Sequence, residues 1–566
     1  MKKNMKIWIL AGSCILLIGI IVTVFLLQKF APSKEHMNLA EYFKMQKSDV
    51  KLIIENEILD ADALYQDRQV YVNMDTVKDR LNARFYWDTR ENILLYTTPN
   101  AVISAEAGSK DCYKNNSRSG RDFEIVRVDG EEVYVALDYI REHTALEYKV
   151  YSNPTRVVIA NEFGKERDYS KTDSACALRF QPDIKSDILV DLKKDAKVRL
   201  LEKENEETGF CKVMEASGVI GYVKAKDLDD TYQEVRKTDF KAEEYTHILK
   251  DEKINLVWHQ VMNQTANEGL LTLLSTTKGV NVVCPTWFET SDNDGNISSL
   301  ANDTYVTLAH RQGVEVWGLC NDFSPNMKIG KVLGSTKKRQ KLAKNLTAEA
   351  IRYSLDGINI DFENVKKDSG EDFIQFIREL GIMCRNNGIV LSVDNYPIRE
   401  YNEYYNRKEQ AAVADYVITM AYDEYYAGSE EAGPVSSIGY VKDSVERVID
   451  QVPAKQAIIA LPFYSRHWTE TTKNGKVTLS SEACSMKYAQ EVLQNSGTAP
   501  VWSDDAGMNY LEYKSGRELH KMWIEDINSL QVKMEEVAKH KTAGVAFWKL
   551  GLEDSSVWDM VQKYNK

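Results

Sequence analysis

The stretch that decides the fold of the C-terminal half is Leu355–Glu363, "LDGINIDFE". A strand of a parallel sheet is normally buried on both faces and reads as a continuous apolar run. Here the side chains alternate instead, so apolar residues take one face of the strand while an amide and two acids take the other. The apolar residues are Ile358, Ile360 and Phe362, and the polar residues are Asn359, Asp361 and Glu363.

The same half of the chain contains seven further strand candidates, several of them separated by amphipathic runs such as "STKKRQKLAKNLTAEAIRYS". Eight strand–helix units over about 300 residues are typical of a (β/α)8 barrel. We therefore predict an α/β fold with such a TIM barrel over 245–566, and an inserted subdomain between 465 and 542, before the last strand. The predicted strands are 254–261, 280–287, 314–320, 355–362, 389–395, 415–422, 456–463 and 544–550.

In such a barrel the polar ladder projects into the interior, and Glu363 lies nearest the C-terminal mouth, where active sites of these barrels gather. Buried carboxylates are costly unless they are paired, and neighbouring acids raise one another's pKa. This arrangement suits a glutamic acid that is protonated near pH 7 and acts as a general acid. The alternative is a solvated or salt-bridged group of acids at a strand end, and the position on the fourth of eight strands favours the chemical interpretation.

Three motifs in strand order resemble glycoside hydrolase family 18, the family of chitinases and endo-N-acetylglucosaminidases. "DGINIDFE" is similar to its DxxDxDxE signature, "MAYDEYYAGSEEAGPVSSIGYV" to its sixth-strand MxYD pattern, and "AGVAFWKLG" places a tryptophan at the end of the eighth strand. "PFYSRHW" and "VWSDDAGMNYLEY" resemble the branch that includes spore-cortex peptidoglycan glycosidases. The matching residues are Asp356, Asn359, Asp361, Glu363, Met420, Tyr422, Asp423 and Trp548.

The resemblance implies substrate-assisted, retaining hydrolysis of β-1,4 bonds in N-acetylglucosamine-containing glycans, without a cofactor. Glu363 would be the acid and then the base, and Asp361 would orient the acetamido group of the substrate. Asn359 departs from the usual pattern, because an amide can hydrogen-bond to Asp361 but cannot take up its charge. The implied catalytic residues are Glu363, Asp361, Asn359 and Tyr422, and the implied substrate-binding residues are Asp423, Trp548, Asp356 and Met420.

The N-terminal half is predicted to hold two small domains. "QVYVNMDTVKDRLNARFYWDTRENILLYTTP" from Gln69 matches "EVYVALDYIREHTALEYKVYSNPTRVVIANE" from Glu132 at an offset of 63. Each copy reads as a strand, a short helix and two strands, which predicts an α+β domain over 51–165 that resembles the copper-amine-oxidase N-terminal-like repeat, without a copper site. Short strands over 173–232 predict a small all-β barrel that resembles bacterial SH3 modules, which often bind cell-wall peptides.

The N-terminus predicts a membrane location. Residues 7–27 carry no charge over 21 positions and follow three lysines, which indicates a cytoplasmic tail (1–6), a transmembrane anchor (7–28) and a linker (29–50), with the rest of the chain extracellular. A cleaved signal peptide is the alternative.

The balance of 72 basic to 85 acidic residues excludes nucleic acid as the main partner. The chain has no CxxC or HExxH motif, so no metal site is expected, and a Cys176–Cys211 disulfide stays open.

Three functions remain open on the sequence alone. The first is a membrane-anchored glycosidase of peptidoglycan, the second is a chitinase or N-glycan endoglycosidase, and the third is a non-catalytic glycan-binding protein on the same barrel. Retention of Glu363 favours an enzyme, because lectin-like relatives commonly lose this acid. Four tryptophans near strand ends are as consistent with a sugar cleft as with a core: Trp258, Trp287, Trp317 and Trp468.

Overall fold

Eight parallel strands close into a barrel in the computed structural model, which describes residues 2–46, 50–60, 63–325, 327–473 and 476–564. The chain divides into two units, and the barrel lies in the one formed by Tyr86–Ser104, Lys114–Asn116 and Glu243–Lys566. The ring closes because the second strand pairs with both the first and the third, which confirms the predicted barrel. The strands are β1 (Ile254–His259), β2 (Val282–Pro285), β3 (Glu315–Asn321), β4 (Gly357–Asp361), β5 (Val390–Asn395), β6 (Tyr416–Met420), β7 (Ala457–Pro462) and β8 (Gly544–Trp548).

The two faces of these strands build two separate apolar layers. Ile358 and Ile360 on β4, with Phe362 beyond it, belong to the layer between strands and helices, where the Phe362 ring stacks on Phe376 at a centroid distance of 5.6 Å. Inward residues of the other strands fill the barrel interior, so the predicted alternation is confirmed. The α-helices around the barrel are Gln264–Glu268, Leu270–Leu274, Asp303–Arg311, Ile329–Leu333, Thr336–Arg352, Gly370–Asn386, Arg407–Val413, Ile438–Gln451, Ile527–Lys539 and Val557–Tyr564, and short 3-10 helices cover Lys367–Ser369, Glu400–Tyr405 and Ala454–Gln456.

A five-stranded antiparallel sheet lies between β7 and β8 in sequence, in the segment that we predicted to hold an insertion. It has a small core of its own, built around Leu511 and Met522. A second, shorter hairpin of Phe288–Thr290 and Ile297–Ser299 adds to the edge of β3. The strands of the insertion are Tyr464–Lys473, Lys476–Ser485, Val501–Ser503, Met508–Ser515 and Glu518–Ile524, and its helix is Met486–Ser496.

A buried ion pair joins two of the barrel helices. Arg339 of helix Thr336–Arg352 lies 3.0 Å from the Glu379 carboxylate of helix Gly370–Asn386, and the two side chains are 0% and 1% exposed. The guanidinium also donates to the Leu333 carbonyl oxygen at 2.6 Å and to the Tyr86 hydroxyl at 3.3 Å. Tyr86 therefore belongs with the barrel, although it lies inside the sequence of the first N-terminal repeat.

The other unit comprises Met1–Phe85, Ala105–Tyr113 and Ser117–Ala242. Equivalent strands of the two sequence repeats pair with each other in antiparallel fashion, with Val72 opposite Val135. One four-stranded sheet has the order Glu147–Tyr151, Arg156–Ala160, Lys51–Ile54, Glu57–Leu59, and another has the order Val126–Asp129, Glu132–Ala136, Gln69–Asn73, Ala63–Gln66. The helices are Lys2–Phe30, Leu39–Tyr42, Met74–Thr76 and Leu137–His143, with a π-helix at Val77–Leu81 and a 3-10 helix at Ala225–Asp227. Five further strands are divided between the two units: Phe85–Asp88, Ile93–Thr97, Val102–Glu106, Asp111–Lys114 and Ser117–Gly120.

A seven-stranded antiparallel sheet completes this unit. Glu55 ties it to the repeats, because its buried carboxylate contacts Arg167 at 2.8 Å, Arg199 at 3.1 Å and Arg236 at 2.9 Å. The resemblance of this sheet to SH3 modules stays a prediction. Its strands are Glu166–Lys171, Cys176–Arg179, Ile188–Leu192, Lys197–Asn205, Phe210–Glu215, Ile220–Lys224 and Tyr232–Val235.

The structure bears on two features of the N-terminal half, a membrane-spanning helix and a Cys176–Cys211 disulfide. Among the helices that the structure describes, none combines the length and the apolar character needed to cross a bilayer. Cys176 and Cys211 are both free thiols, so the disulfide left open by the sequence is not formed here.

The buried pair yields a stability prediction. Replacing Arg339 with Met leaves the Glu379 carboxylate buried without its partner, so we expect the barrel to lose about 3–5 kcal/mol of unfolding free energy. Urea unfolding followed by tryptophan fluorescence measures this loss. Arg352→Met, on the same helix with a side chain that is 69% exposed, is the matched control and should change stability by less than about 0.5 kcal/mol. Equal effects of the two substitutions would contradict the assignment.

Candidate active site

Glu363 lies two residues beyond the end of β4, at the C-terminal mouth of the barrel, and is half-buried. Its backbone N–H donates to Asp322 Oδ1 at 3.0 Å, and the Tyr396 hydroxyl donates to its carboxylate. Burial raises the pKa of Glu363 to about 7, and the nearby charges of Asp322 and Asp423 act in the same direction. At neutral pH this carboxyl can therefore both donate and accept a proton.

Asn359, on the inward face of β4, is completely buried and fully hydrogen-bonded. Its side-chain N–H groups donate to Ser392 Oγ at 2.9 Å and to Asp394 Oδ1 at 2.8 Å, both on β5. Its carbonyl oxygen accepts from the Trp258 indole at 3.2 Å and from the Cys284 thiol at 3.3 Å. The amide thus joins four strands, and both of its donors go to β5 rather than to Asp361 as we expected.

Asp361 is the last residue of β4 and is 7% exposed. Its Oδ1 is buried and has no hydrogen-bond partner among the described residues. Burial raises the pKa of Asp361 well above its usual value, and the charge of Asp394 adds most to that effect, followed by Glu363 and Asp322. A buried acceptor without a donor is costly, so this oxygen is poised to receive a donor from a bound ligand.

The predicted residues on β6 and β8 complete the mouth of the barrel. Tyr422 follows β6 and is 8% exposed, and burial raises its pKa far above the usual value, so its hydroxyl stays protonated and can donate. The exposed Asp423 has a left-handed φ of 56° and accepts a hydrogen bond from the Tyr464 hydroxyl. Trp548, half-buried at the end of β8, lies 6.0 Å from Trp258 between ring centroids. Met420 is buried in the apolar layer inside the barrel.

Asp356 does not join this group. It precedes β4, five residues before Asp361, which places it about 16 Å away at the opposite end of the strand. Its carboxylate accepts from the Val316 backbone N–H and from His310, each at 2.8 Å. The predicted substrate-binding role of Asp356 is therefore wrong, and the residue holds the base of β4 against its neighbours.

The structure also brings in residues that the sequence motifs did not reveal. Asp322 follows β3, Asp394 lies on β5, Tyr396 follows β5, and Tyr464 follows β7. The sequence did contain a signal for the two aspartates, because the apolar runs "VEVWGLCND" and "IVLSVDN" end in polar residues where the strands reach the mouth. The four tryptophans considered for a sugar cleft are fully buried core residues instead: Trp258, Trp287, Trp317 and Trp468.

A (β/α)8 barrel that carries a carboxyl group with a pKa of about 7 at its C-terminal mouth belongs to the class of barrels suited to acid–base chemistry. The sequence model of glycosyl hydrolases family 18 matches residues 317–553. The chain therefore carries a domain of glycosyl hydrolase family 18. In the other half, the copper amine oxidase N-terminal domain matches residues 53–160.

Relatives of this domain include two proteins of Bacillus subtilis (strain 168). In Bacillus subtilis (strain 168), the "Putative sporulation-specific glycosylase YdhD" is 29% identical over 233 residues, which are 40% of this chain and 54% of that protein. The cortical fragment-lytic enzyme of the same strain is 25% identical over 240 residues, or 41% of this chain and 55% of that enzyme. The chain thus spans about half the length of these two relatives. The solved Bacillus cereus spore cortex-lytic enzyme SleL shares the fold, with a TM-score of 0.51 and 19% identity over 59% of this chain and 77% of that chain.

The pKa of Glu363 gives the test of this site. We expect its carboxyl to titrate near pH 7 in a carbon-13 NMR titration, with the signal identified by its loss in Glu363→Gln. Asp322→Asn removes a neighbouring negative charge and should lower that midpoint by about one unit. Asp356→Asn, which changes an acid at the far end of the same strand, is the matched control and should leave the midpoint in place. A Glu363 midpoint near 4 in the unchanged protein would contradict the geometry.

Proposed function

We propose that this protein is a glycosidase that hydrolyses β-1,4 bonds of N-acetylglucosamine-containing glycans, with peptidoglycan as its substrate, by a substrate-assisted retaining mechanism. The observation that carries the proposal is the pairing of two features at one strand end. Asp361 presents a buried acceptor that has no donor among the described residues, and Glu363, two residues further on, has a pKa of about 7. A glycan with a 2-acetamido group offers an N–H for the first and a leaving oxygen for the second.

The acid–base work falls to Glu363. In its protonated form it donates a proton to the glycosidic oxygen as that bond breaks, and the resulting carboxylate then takes a proton from the attacking water. The Tyr396 hydroxyl holds one carboxylate oxygen, and Asp322 fixes the Glu363 backbone through its N–H at 3.0 Å. Both contacts restrict the carboxyl to one orientation, which general acid catalysis requires.

The nucleophile in this mechanism belongs to the substrate. Asp361 accepts the acetamido N–H and thereby turns the acetamido oxygen toward the anomeric carbon, and its negative charge offsets the positive charge of the oxazolinium ion that forms. The protonated Tyr422 hydroxyl is the donor proposed to hold the acetamido oxygen in line. No carboxylate of the protein bonds to the sugar, so the reaction depends on the 2-acetamido group.

Trp548 and Asp423 bind the sugar ring in this mechanism. Trp548 offers an apolar ring surface on which the sugar at the cleavage position can stack. Asp423 is exposed at the mouth, and its carboxylate can accept hydrogen bonds from sugar hydroxyls while Tyr464 fixes its orientation. Stacking and hydrogen bonding together would distort the ring toward the transition state.

The choice of peptidoglycan rests on the relatives, two of which are named for spore-cortex or cortical-fragment lysis. The module resembling SH3 domains is a candidate binder of cell-wall peptides, which would keep the barrel at that polymer. Chitin and N-glycans contain the same 2-acetamido sugar and are therefore the competing substrates in the test.

The decisive assay compares the full-length protein with its Glu363→Gln variant. Both are incubated with purified peptidoglycan and with chitin oligosaccharides, and new reducing ends are identified by mass spectrometry. We expect the parent to release N-acetylglucosamine-terminated muropeptides and the variant to be slower by about 10²–10⁴-fold, because the acid is lost.

Two controls separate the alternatives in this assay. De-N-acetylated glycan should resist the parent, because the nucleophile is missing. If the parent cleaves chitin and does not cleave peptidoglycan, chitin takes the place of peptidoglycan as the substrate. Glycan binding without cleavage by either protein would overturn the enzymatic proposal in favour of a glycan-binding role.

We further propose that the chain is held at the cell membrane, with its N-terminus in the cytoplasm and its later domains outside. The support is the uncharged run over 7–27, preceded by Lys2, Lys3 and Lys6. In fractionated cells the full chain should sediment with membranes and be degraded by protease added outside. Replacing Ile15 and Ile18 with Asp should release it from the membrane fraction, and an unchanged distribution would contradict the anchor.

A further inference from the structure

A second acid stands beside Asp361, on the neighbouring strand. In the parallel register of β4 and β5, Asn359 lies level with Ser392 and Ile360 with Val393. The next residues, Asp361 and Asp394, therefore face each other across the ~4.8 Å spacing of adjacent strands and point to the same inward face. Both side chains are buried, at 7% and 3% exposure.

The amide of Asn359 links this pair to the barrel wall. Its Nδ2 donates to Asp394 Oδ1 at 2.8 Å, while its own carbonyl oxygen is occupied by the Trp258 and Cys284 donors. The Asn359 amide, a neutral group, thereby holds the Asp394 carboxyl in place. The DxxDxDxE signature that "DGINIDFE" resembles has an acid where this chain has the amide of Asn359, and Asp394 places an acid beside Asp361 from β5.

The groups around the pair are acids or neutral donors. Glu363 and Asp322 lie at the same mouth, Cys284 faces the pair from β2, and Tyr422 and Asp423 follow β6. Burial raises the pKa of both Asp361 and Asp394 well above the usual value, and the charge of Asp394 raises that of Asp361 further. Two carboxyls in this setting cannot both ionise near neutral pH.

We propose that Asp394 is the proton-sharing partner of Asp361, so that the two carboxyls carry one proton and one negative charge between them. Asp394 is thus a positioning residue that fills, from the next strand, the place left by the amide at 359. When Asp361 accepts the substrate's acetamido N–H and faces the developing positive charge, the proton of the pair stays on Asp394. This inference rests on the proposed glycosidase function, because it assigns Asp394 a part in that reaction.

Four forms of the full-length chain test this proposal: the parent, Asp394→Asn, Asn359→Asp, and the exchange Asn359→Asp/Asp394→Asn. The readout is the acid-side midpoint of kcat/KM for glycan hydrolysis, which reports ionisation of the pair. Asp394→Asn removes the shared proton that stabilises the Asp361 carboxylate and should raise the midpoint by about one unit or more, and Asn359→Asp adds a further acid and should also raise it. The exchange restores one acid beside Asp361 and should return the midpoint to within about half a unit of the parent.

Ser392→Ala is the matched control, because it removes the other acceptor of the Asn359 amide and leaves every charge in place. Its midpoint should equal that of the parent. The proposal is overturned if Asp394→Asn leaves the midpoint unmoved, if Ser392→Ala moves it equally, or if the exchange lies no nearer the parent than the single variants do.

A second readout keeps the test independent of activity. An acid whose folded pKa is raised costs stability once the pH exceeds its unfolded pKa of about 3.9, and the cost grows until the folded pKa is reached. The Tm of Asp394→Asn minus that of the parent should therefore rise between pH 4 and pH 8, while the difference for Ser392→Ala stays constant. If the parent cleaves no glycan, the proposed function fails. In that case, a Tm difference that rises with pH supports the shared charge, and a constant Tm difference contradicts it.

Discussion

Crowding of carboxyl groups at one end of a closed barrel is the constraint on which the site depends. Asp361, Asp394, Asp322 and Glu363 meet where β3, β4 and β5 reach the mouth. In water these acids would all ionise near pH 4, but in a poorly solvated site the first charge raises the cost of the next. The barrel therefore holds protons at neutral pH that free carboxyls would have lost. This property gives Glu363 its acid function.

The rest of the domain keeps that arrangement from relaxing. The outward residues of β4 pack in the apolar layer between the strands and the helices, so the strand cannot turn its acids toward solvent without exposing Ile358 and Ile360. Beyond the strand, the Tyr405 hydroxyl donates to the Phe362 carbonyl oxygen at 2.9 Å, and Asp322 accepts the backbone N–H groups of Glu363 and Asn364. The buried Arg339–Glu379 pair joins the two helices behind the strand. Rigid support of this kind fixes a site within the tolerance that catalysis needs.

Much of this architecture could be predicted from the sequence, because it depends on local periodicity. The alternation in 355–363 correctly placed Asn359 and Asp361 inside and three apolar residues outside, and all eight strands lie where apolar runs indicated. Asp394 could not be recognised in this way, because its position beside Asp361 depends on the register of β4 with β5, which pairs residues 33 positions apart. Asp356 was misassigned for the related reason that a motif match does not say which end of a strand faces the mouth. The four tryptophans were ambiguous because burial of an aromatic depends on its three-dimensional neighbours.

The central claim is that the substrate, held by Asp361, supplies the nucleophile while Glu363 supplies the proton. The most direct measurement is proton NMR of the first reducing end released from a peptidoglycan glycan strand, recorded before the two anomers equilibrate. Two displacements at the anomeric carbon predict that the β-anomer appears first, because the acetamido oxygen and then water invert the centre in turn. Initial release of the α-anomer would mean that water attacks directly, and would contradict the account.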